Sequence, residues 1–158
     1  MLEIRRTRRE DEDSFIRVYR AAYTGLEEYA YKRRREIKWY FRWLLRRDPE
    51  GFYLAEDRDQ TELPVGFIAC DTNWISPFEG RTVNEIHELI VHPEWMGMGI
   101  GRTLLLKGLE YGRSRGEDLA ELWVGHENTR ARRFYLKMGF EERETIGIWI
   151  RMTKRINI

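Results

Sequence analysis

Residues 95–101 read Trp-Met-Gly-Met-Gly-Ile-Gly, with glycines at alternate positions 97, 99 and 101. Glycine in a helix interior costs roughly 1 kcal/mol relative to alanine, so glycines at the mouth of a helix need a local reason. The chemistry that suits them is anion binding. Backbone N–H groups at a helix N-terminus face a negative ligand, and missing side chains let a diphosphate approach closely. Two common phosphate loops do not fit. A dinucleotide fingerprint begun at Gly97 needs Gly or Ala where Arg102 stands. A P-loop ending Gly101-Arg102-Thr103 places its first glycine at Met96 and lacks the lysine. Without a ligand, the stretch is a tight strand-to-helix turn.

The elements that must position this turn follow from periodicity. Leu2–Arg6 alternates as a short strand, and Glu10–Tyr23 and Arg35–Arg47 carry apolar residues at helical spacing. The second helix is stopped by Asp-Pro-Glu-Gly at 48–51. Phe52–Asp57 and Pro64–Ile75 read as a hairpin, followed by a strand over Val83–Val91 and a helix over Arg102–Gly116. Leu119–Gly125 is a further strand. Asn128–Gly139 is a helix with an Asn N-cap and a terminal Gly, and Glu144–Ile156 alternates as a last strand. The order βααβββαβαβ predicts an α/β (α+β) fold, with one mixed, mostly antiparallel sheet flanked by helices, over a single domain of 158 residues.

Two segments at a fixed distance, Glu-Leu-Ile-Val-His-Pro-Glu-Trp-Met-Gly-Met-Gly-Ile-Gly-Arg-Thr-Leu-Leu at 88–105 and Leu-Trp-Val-Gly-His-Glu-Asn-Thr-Arg-Ala-Arg-Arg-Phe-Tyr at 122–135, resemble the GNAT superfamily of acyl-CoA-dependent N-acetyltransferases. The resemblance implies acetyl-CoA as co-substrate and a primary amine as acceptor. It places the diphosphate on Met96, Gly97, Met98, Gly99, Ile100 and Gly101, where Met96 replaces the family's Arg or Gln and Met98 its frequent cation. Arg102 then stands as a substitute charge. It also implies that the strand before the loop splays from its neighbour, freeing the backbone of Leu89, Ile90 and Val91 for the pantetheine and thioester.

Acetyl transfer to an amine needs a base, because an alkyl amine titrates at about pH 10. Glu85 matches the family position of a catalytic glutamate. His87 shares its strand face, while Glu88 faces the other side unless a bulge intervenes. Tyr135 lies two helical turns after Asn128 with small Ala131 between, so the three share a face along which a pantetheine can pass. Tyr135 is the candidate acid for the thiolate, as the matching family tyrosine is. Asn128 is explained as an N-cap without a ligand, and the resemblance implies that it also contacts the cofactor; Phe134 belongs to the same family motif.

The remaining residues exclude other chemistries. Cys70 sits in an apolar strand, where a thiol is usually inert, so an acyl-cysteine route is not expected. The three histidines, 87, 92 and 126, match no zinc spacing, so no metal is expected. Lys plus Arg number 28 against 27 Asp plus Glu, which gives no field that selects nucleic acid or a membrane. A start without an apolar core and a lone cysteine suggest the cytoplasm. Charged residues at 35% suggest heat adaptation.

Tyr23, Tyr29, Tyr31, Trp39, Tyr40 and Trp43 gather in the first two helices and the loop joining them, which wall the acceptor site in this fold. The basic run at 32–35 tilts the expectation toward a peptide or a small amine bearing a carboxylate. The alternating last strand could pair across a homodimer. A non-catalytic acyl-CoA sensor is the alternative function.

Overall fold

The computed structural model describes residues 1–156. Its elements run β1 (Leu2–Arg6), α1 (Glu12–Ala22), α2 (Arg34–Arg47), β2 (Phe52–Asp57), β3 (Pro64–Ser76), β4 (Arg81–Val91), α3 (Ile100–Ser114), β5 (Leu119–Gly125), α4 (Thr129–Lys137), β6 (Glu141–Ile146) and β7 (Trp149–Arg155). The seven strands form one sheet in the order β1-β2-β3-β4-β5-β7-β6. The β4–β5 pair is parallel and the other pairs are antiparallel.

One expectation is corrected. The alternating run at the end is a hairpin, because Gly147 takes φ +60° between the paired residues Ile146 and Trp149. Ile148 keeps a negative φ. A two-residue turn with Gly first and left-handed is the type II′ geometry that strand twist favours. The order is therefore βααβββαβαββ, and β7 is held on both sides, by β5 and β6. The terminal strand is thus not free to pair across a dimer; the sheet edges are β1 and β6.

The sheet's two faces carry separate cores. Phe15, Tyr19, Ile37 and Phe41 of α1 and α2 pack on Phe52, Leu54, Phe67 and Ile90. On the other face Leu104, Leu105 and Leu109 of α3 pack on Ile68, Cys70, Ile86 and Leu122, with Tyr135 of α4. Burial of such side chains stabilises each face by about 1.5–3 kcal/mol per residue before entropy is counted. The α1/α2 face also holds buried polar groups, among them Asp71, Glu85 and Glu88.

Candidate active site

β4 and β5 pair only over Asn84–Ile86 with Ala120–Leu122. Beyond that point β4 continues to Val91 on β3 alone, and β5 continues to Gly125 on β7 alone. The strands part where β4 bulges. Cys70 pairs with Ile86 and Ala69 with Glu88, so His87 is an extra residue on β4. A bulge bends its strand and resets the alternation. Glu88 consequently joins Glu85 on the α1/α2 face, which strict alternation forbids.

The gap opens into two cavities. The first, of about 850 Å³, lies at the start of α3 and is lined by Leu89, Ile90, Val91, Met96, Gly97, Gly99, Ile100, Gly101, Arg102, Asn128, Phe134 and Tyr135 among others. Gly97 and Gly99 have φ of +79° and +78°, and a Cβ on either would meet nothing within 4 Å. The backbone conformation, rather than crowding, therefore requires glycine here. Gly99 caps α3 with no side-chain bond, and the first turn carries no acid. The first N–H groups of a helix have no acceptor within it. Here they face the cavity uncapped, which fits a diphosphate.

Met98 does not line this cavity and is 65% exposed. Thr24 after α1 and Arg130 in the first turn of α4 also line it, and sequence reasoning did not name them; Tyr23, expected on the acceptor side, lines it too. Asn128 accepts from the Ala131 N–H at 3.3 Å and is thus a cap in fact.

The second cavity, of about 560 Å³, lies against the α1/α2 face and the loop between these helices. Tyr19, Tyr23, Tyr29, Tyr31, Tyr40, Trp123 and Trp149 wall it, with Glu28, Glu85, His87 and Glu88. No Lys or Arg among the described residues lines it. An acceptor bearing a carboxylate thus has no cationic partner there, contrary to the expectation drawn from the basic run. Trp39 stands outside, 60% exposed and stacked on Arg35, and Trp43 packs on the His87 ring. Tyr29 closes one rim: its hydroxyl accepts from the Glu127 N–H at 2.9 Å and lies 3.2 Å from His126 Nδ1. Its ring occupies the space that a side chain at Gly125 would need.

Tyr23, Leu89, Asn128, Ala131 and Tyr135 line both cavities. At this wall a donor from one side can meet an acceptor from the other.

The carboxyls nearest the wall differ in protonation. Burial pushes Glu88 up to about 7, against the lowering effect of hydrogen bonds from Tyr23 and Tyr40. The Tyr40 hydroxyl donates to Glu88 Oε1 at 2.8 Å and the Tyr23 hydroxyl to Oε2. Glu85 is raised further, to about 11, by burial and by the Glu121 carboxyl beside it. Both effects favour its neutral form, which weighs against the expected role of base. Tyr135 is buried, and burial together with the Glu88 charge raises its phenol, so it stays protonated.

His87 Nε2 lies 2.9 Å from Asp71 Oδ2, which also accepts from Arg47 Nε at 2.7 Å. Cys70 lies in the core beneath α3, off both cavities, with its thiol raised by burial. No helix among the described residues is long and apolar enough to cross a membrane.

Comparison with known proteins agrees with this architecture. The model of the acetyltransferase (GNAT) family matches residues 13–140. An uncharacterized N-acetyltransferase of Archaeoglobus fulgidus is 52% identical over 92% of this chain and 97% of its own. A second, of Methanocaldococcus jannaschii, is 48% identical over 97% of this chain, which spans 66% of that relative. Both organisms are thermophilic archaea. The crystal structure of PH1933 from Pyrococcus horikoshii is similar throughout, with a TM-score of 0.88, 37% identity and full coverage of both chains.

Proposed function

This chain belongs to the acetyltransferase (GNAT) family, and from that premise we propose that it acetylates a primary amine, of a small molecule or a peptide, by direct attack within a ternary complex. The carrying observation is the wall where the two cavities meet, with a base candidate on one side and an acid candidate on it. We read the chain as one acetyltransferase domain, since every strand joins one sheet.

When bound, acetyl-CoA supplies the thioester. The uncapped start of α3, with Gly97 and Gly99, holds its diphosphate through backbone N–H groups. Arg102 and Arg130 add positive charge at the rim. The Leu89–Val91 backbone, paired on the β3 side only, steadies the arm and offers N–H donors to the developing oxygen charge, a device worth a few kcal/mol per donor in well-studied enzymes.

Glu88 takes the proton of the attacking amine. A carboxyl near pH 7 is matched to this task at neutral pH, being about half ionised and basic enough to pull. Tyr23 and Tyr40 fix its two oxygens. As the new C–N bond forms and the C–S bond breaks, Tyr135 gives its phenol proton to the departing sulfur. Phe134 packs beside Tyr135, with ring centroids 5.3 Å apart, and orients it. Glu88 takes the base's role in place of Glu85 because burial and the Glu121 carboxyl favour the neutral form of Glu85, whereas Glu88 is held near 7.

The test is a calorimetric titration with acetyl-CoA, with desulfo-CoA and ATP as controls, followed by a screen of amines for turnover. Saturable one-to-one binding and acetylation of an amine are expected. Absence of CoA binding would remove the diphosphate reading of the glycines, and binding without turnover of any amine would remove the catalytic one.

A further inference from the structure

Glu85 and Glu121 face each other on a rung shared by β4 and β5, just before the strands part. Both are buried, Glu85 at 3% exposed and Glu121 at 0%, and Oε1 of each has no hydrogen-bond partner. Unpartnered buried oxygens are rare and costly, and each calls for an explanation. Part of it is the hydrogen bond between the two carboxyls themselves, which requires that the pair hold one proton. The rest is that Glu85 lines the acceptor cavity and is absent from the lining of the CoA cavity.

The charge around the pair is unbalanced. Glu121 Oε2 accepts from Ser76 Oγ at 2.8 Å and from Arg151 Nη1 at 2.6 Å. Arg151 also serves Glu79 at 3.1 Å and Glu144 at 2.8 Å, so one guanidinium faces three carboxylates. On β3, Asp71 is already occupied by His87 and Arg47. This corner therefore has acid in excess and lacks donors.

Glu85 precedes Glu88 by three residues, about 10 Å at the rise of an extended strand. Tyr and Trp rings, with Leu122 and Val124, supply the walls of the cavity, an apolar surface suited to a methylene chain. We propose that the Glu85–Glu121 pair is a second recognition point in the acceptor site, which binds an ammonium remote from the amine that is acetylated, so that the preferred acceptors are slender diamines. This rests on the reading of this cavity as the acceptor's, and it assigns Glu85 to specificity rather than to proton transfer.

The test compares cadaverine and hexamethylenediamine with pentylamine and hexylamine, at saturating acetyl-CoA, in wild type, Glu85→Gln and Glu121→Gln. The remote ammonium displaces to solvent the proton that the pair shares, a step closed to glutamine, and the charge-assisted hydrogen bond so formed predicts a kcat/KM for the diamine about tenfold or more above that of the matched monoamine, carried by KM. That ratio falls to about one in Glu85→Gln and is reduced in Glu121→Gln. Glutamine has the shape of the protonated acid, and a thermal midpoint at or above wild type certifies the variants' fold. A wild-type ratio near one, or a ratio that Glu85→Gln retains, overturns the proposal. If no amine is acetylated, calorimetric titration of the CoA-loaded protein with the same amines decides it. Preferential diamine binding that Glu85→Gln abolishes supports the pair while the catalytic reading fails. Binding of no amine overturns the pair together with the acceptor-cavity reading.

Discussion

The two cavities that meet at Tyr135 are built by opposite means. The one at α3 is made of backbone: left-handed glycines, an uncapped helix start and a strand that has lost one neighbour. The one beneath α1 and α2 is made of side chains, whose acids have protonation set by burial and by tyrosine donors. Backbone sites tolerate side-chain change, since Met98 can point to solvent without altering the turn. Side-chain sites depend on the rest of the fold, and one strand carries two glutamates in different environments.

The sharpest way to break this contrast is Glu88→Gln. If side chains govern the acceptor side alone, kcat/KM for the amine falls about 10²–10⁴-fold while the acetyl-CoA dissociation constant stays unchanged. The pH profile carries the same information. Glu88 acts only when ionised, so wild-type kcat/KM rises with pH through about 7. The variant loses that limb and keeps the later rise that comes from the amine's own titration. A variant with wild-type rates would return the base's role to another group.

Glu85→Gln separates the two glutamates by stability. Burial and the Glu121 carboxyl hold the pKa of Glu85 in the folded protein well above the ordinary carboxyl value of 4.5. Because the folded pKa is the higher, the folded state binds more protons between these values, and stability falls as pH rises through that window. Glutamine removes the titration. Unfolding free energy of Glu85→Gln relative to wild type should rise by about 1 kcal/mol per pH unit between pH 6 and 8, read from guanidinium melts. A flat difference would mean that Glu85 is ionised and restore it as a candidate base.

Gly99→Ala tests the backbone side. At φ +78° a Cβ costs roughly 1–2 kcal/mol wherever there is space, and the cheapest relief is to rotate the turn out of its left-handed form. We expect acetyl-CoA to bind about tenfold more weakly, by calorimetry, with amine selectivity unchanged.

This division also explains what could be read from the chain alone. Gly97 and Gly99 announce a turn because glycine is the residue that adopts it, and Asn128 announces a cap because its side chain does the capping. Both are local. The His87 bulge is not: its cause lies in the register between β3 and β4, and neither strand carries a glycine there to mark it. The resemblance puts Glu85 forward, and alternation without a bulge turns Glu88 to the other face. The donors that hold Glu88, Tyr23 and Tyr40, come from separate helices, so no spacing in the sequence brings them together. Gly147 did carry a local signal, but alternation on either side of a two-residue turn reads as one strand.

The smallest expected effect lies where the two modes of construction overlap, at the charged rim of the backbone site. Arg102 is exposed in the first turn of α3, and its guanidinium reaches Met138 Sδ at 3.9 Å with no acid partner among the described residues. Arg130 lines the same cavity from α4. An exposed cation near a bound diphosphate contributes about 0.3–1 kcal/mol, screened by salt. Arg102→Ala should thus weaken acetyl-CoA binding only about two- to fivefold at low salt, and less at high salt. Arg130→Ala should behave alike, and the double variant should be close to additive, since two screened charges act through solvent rather than through each other. A loss of a hundredfold in either single variant would mean that side chains hold the diphosphate after all, and the contrast between the two cavities would fail at its strongest point. An unchanged dissociation constant in both would leave the glycine turn and the helix start as the whole of the site.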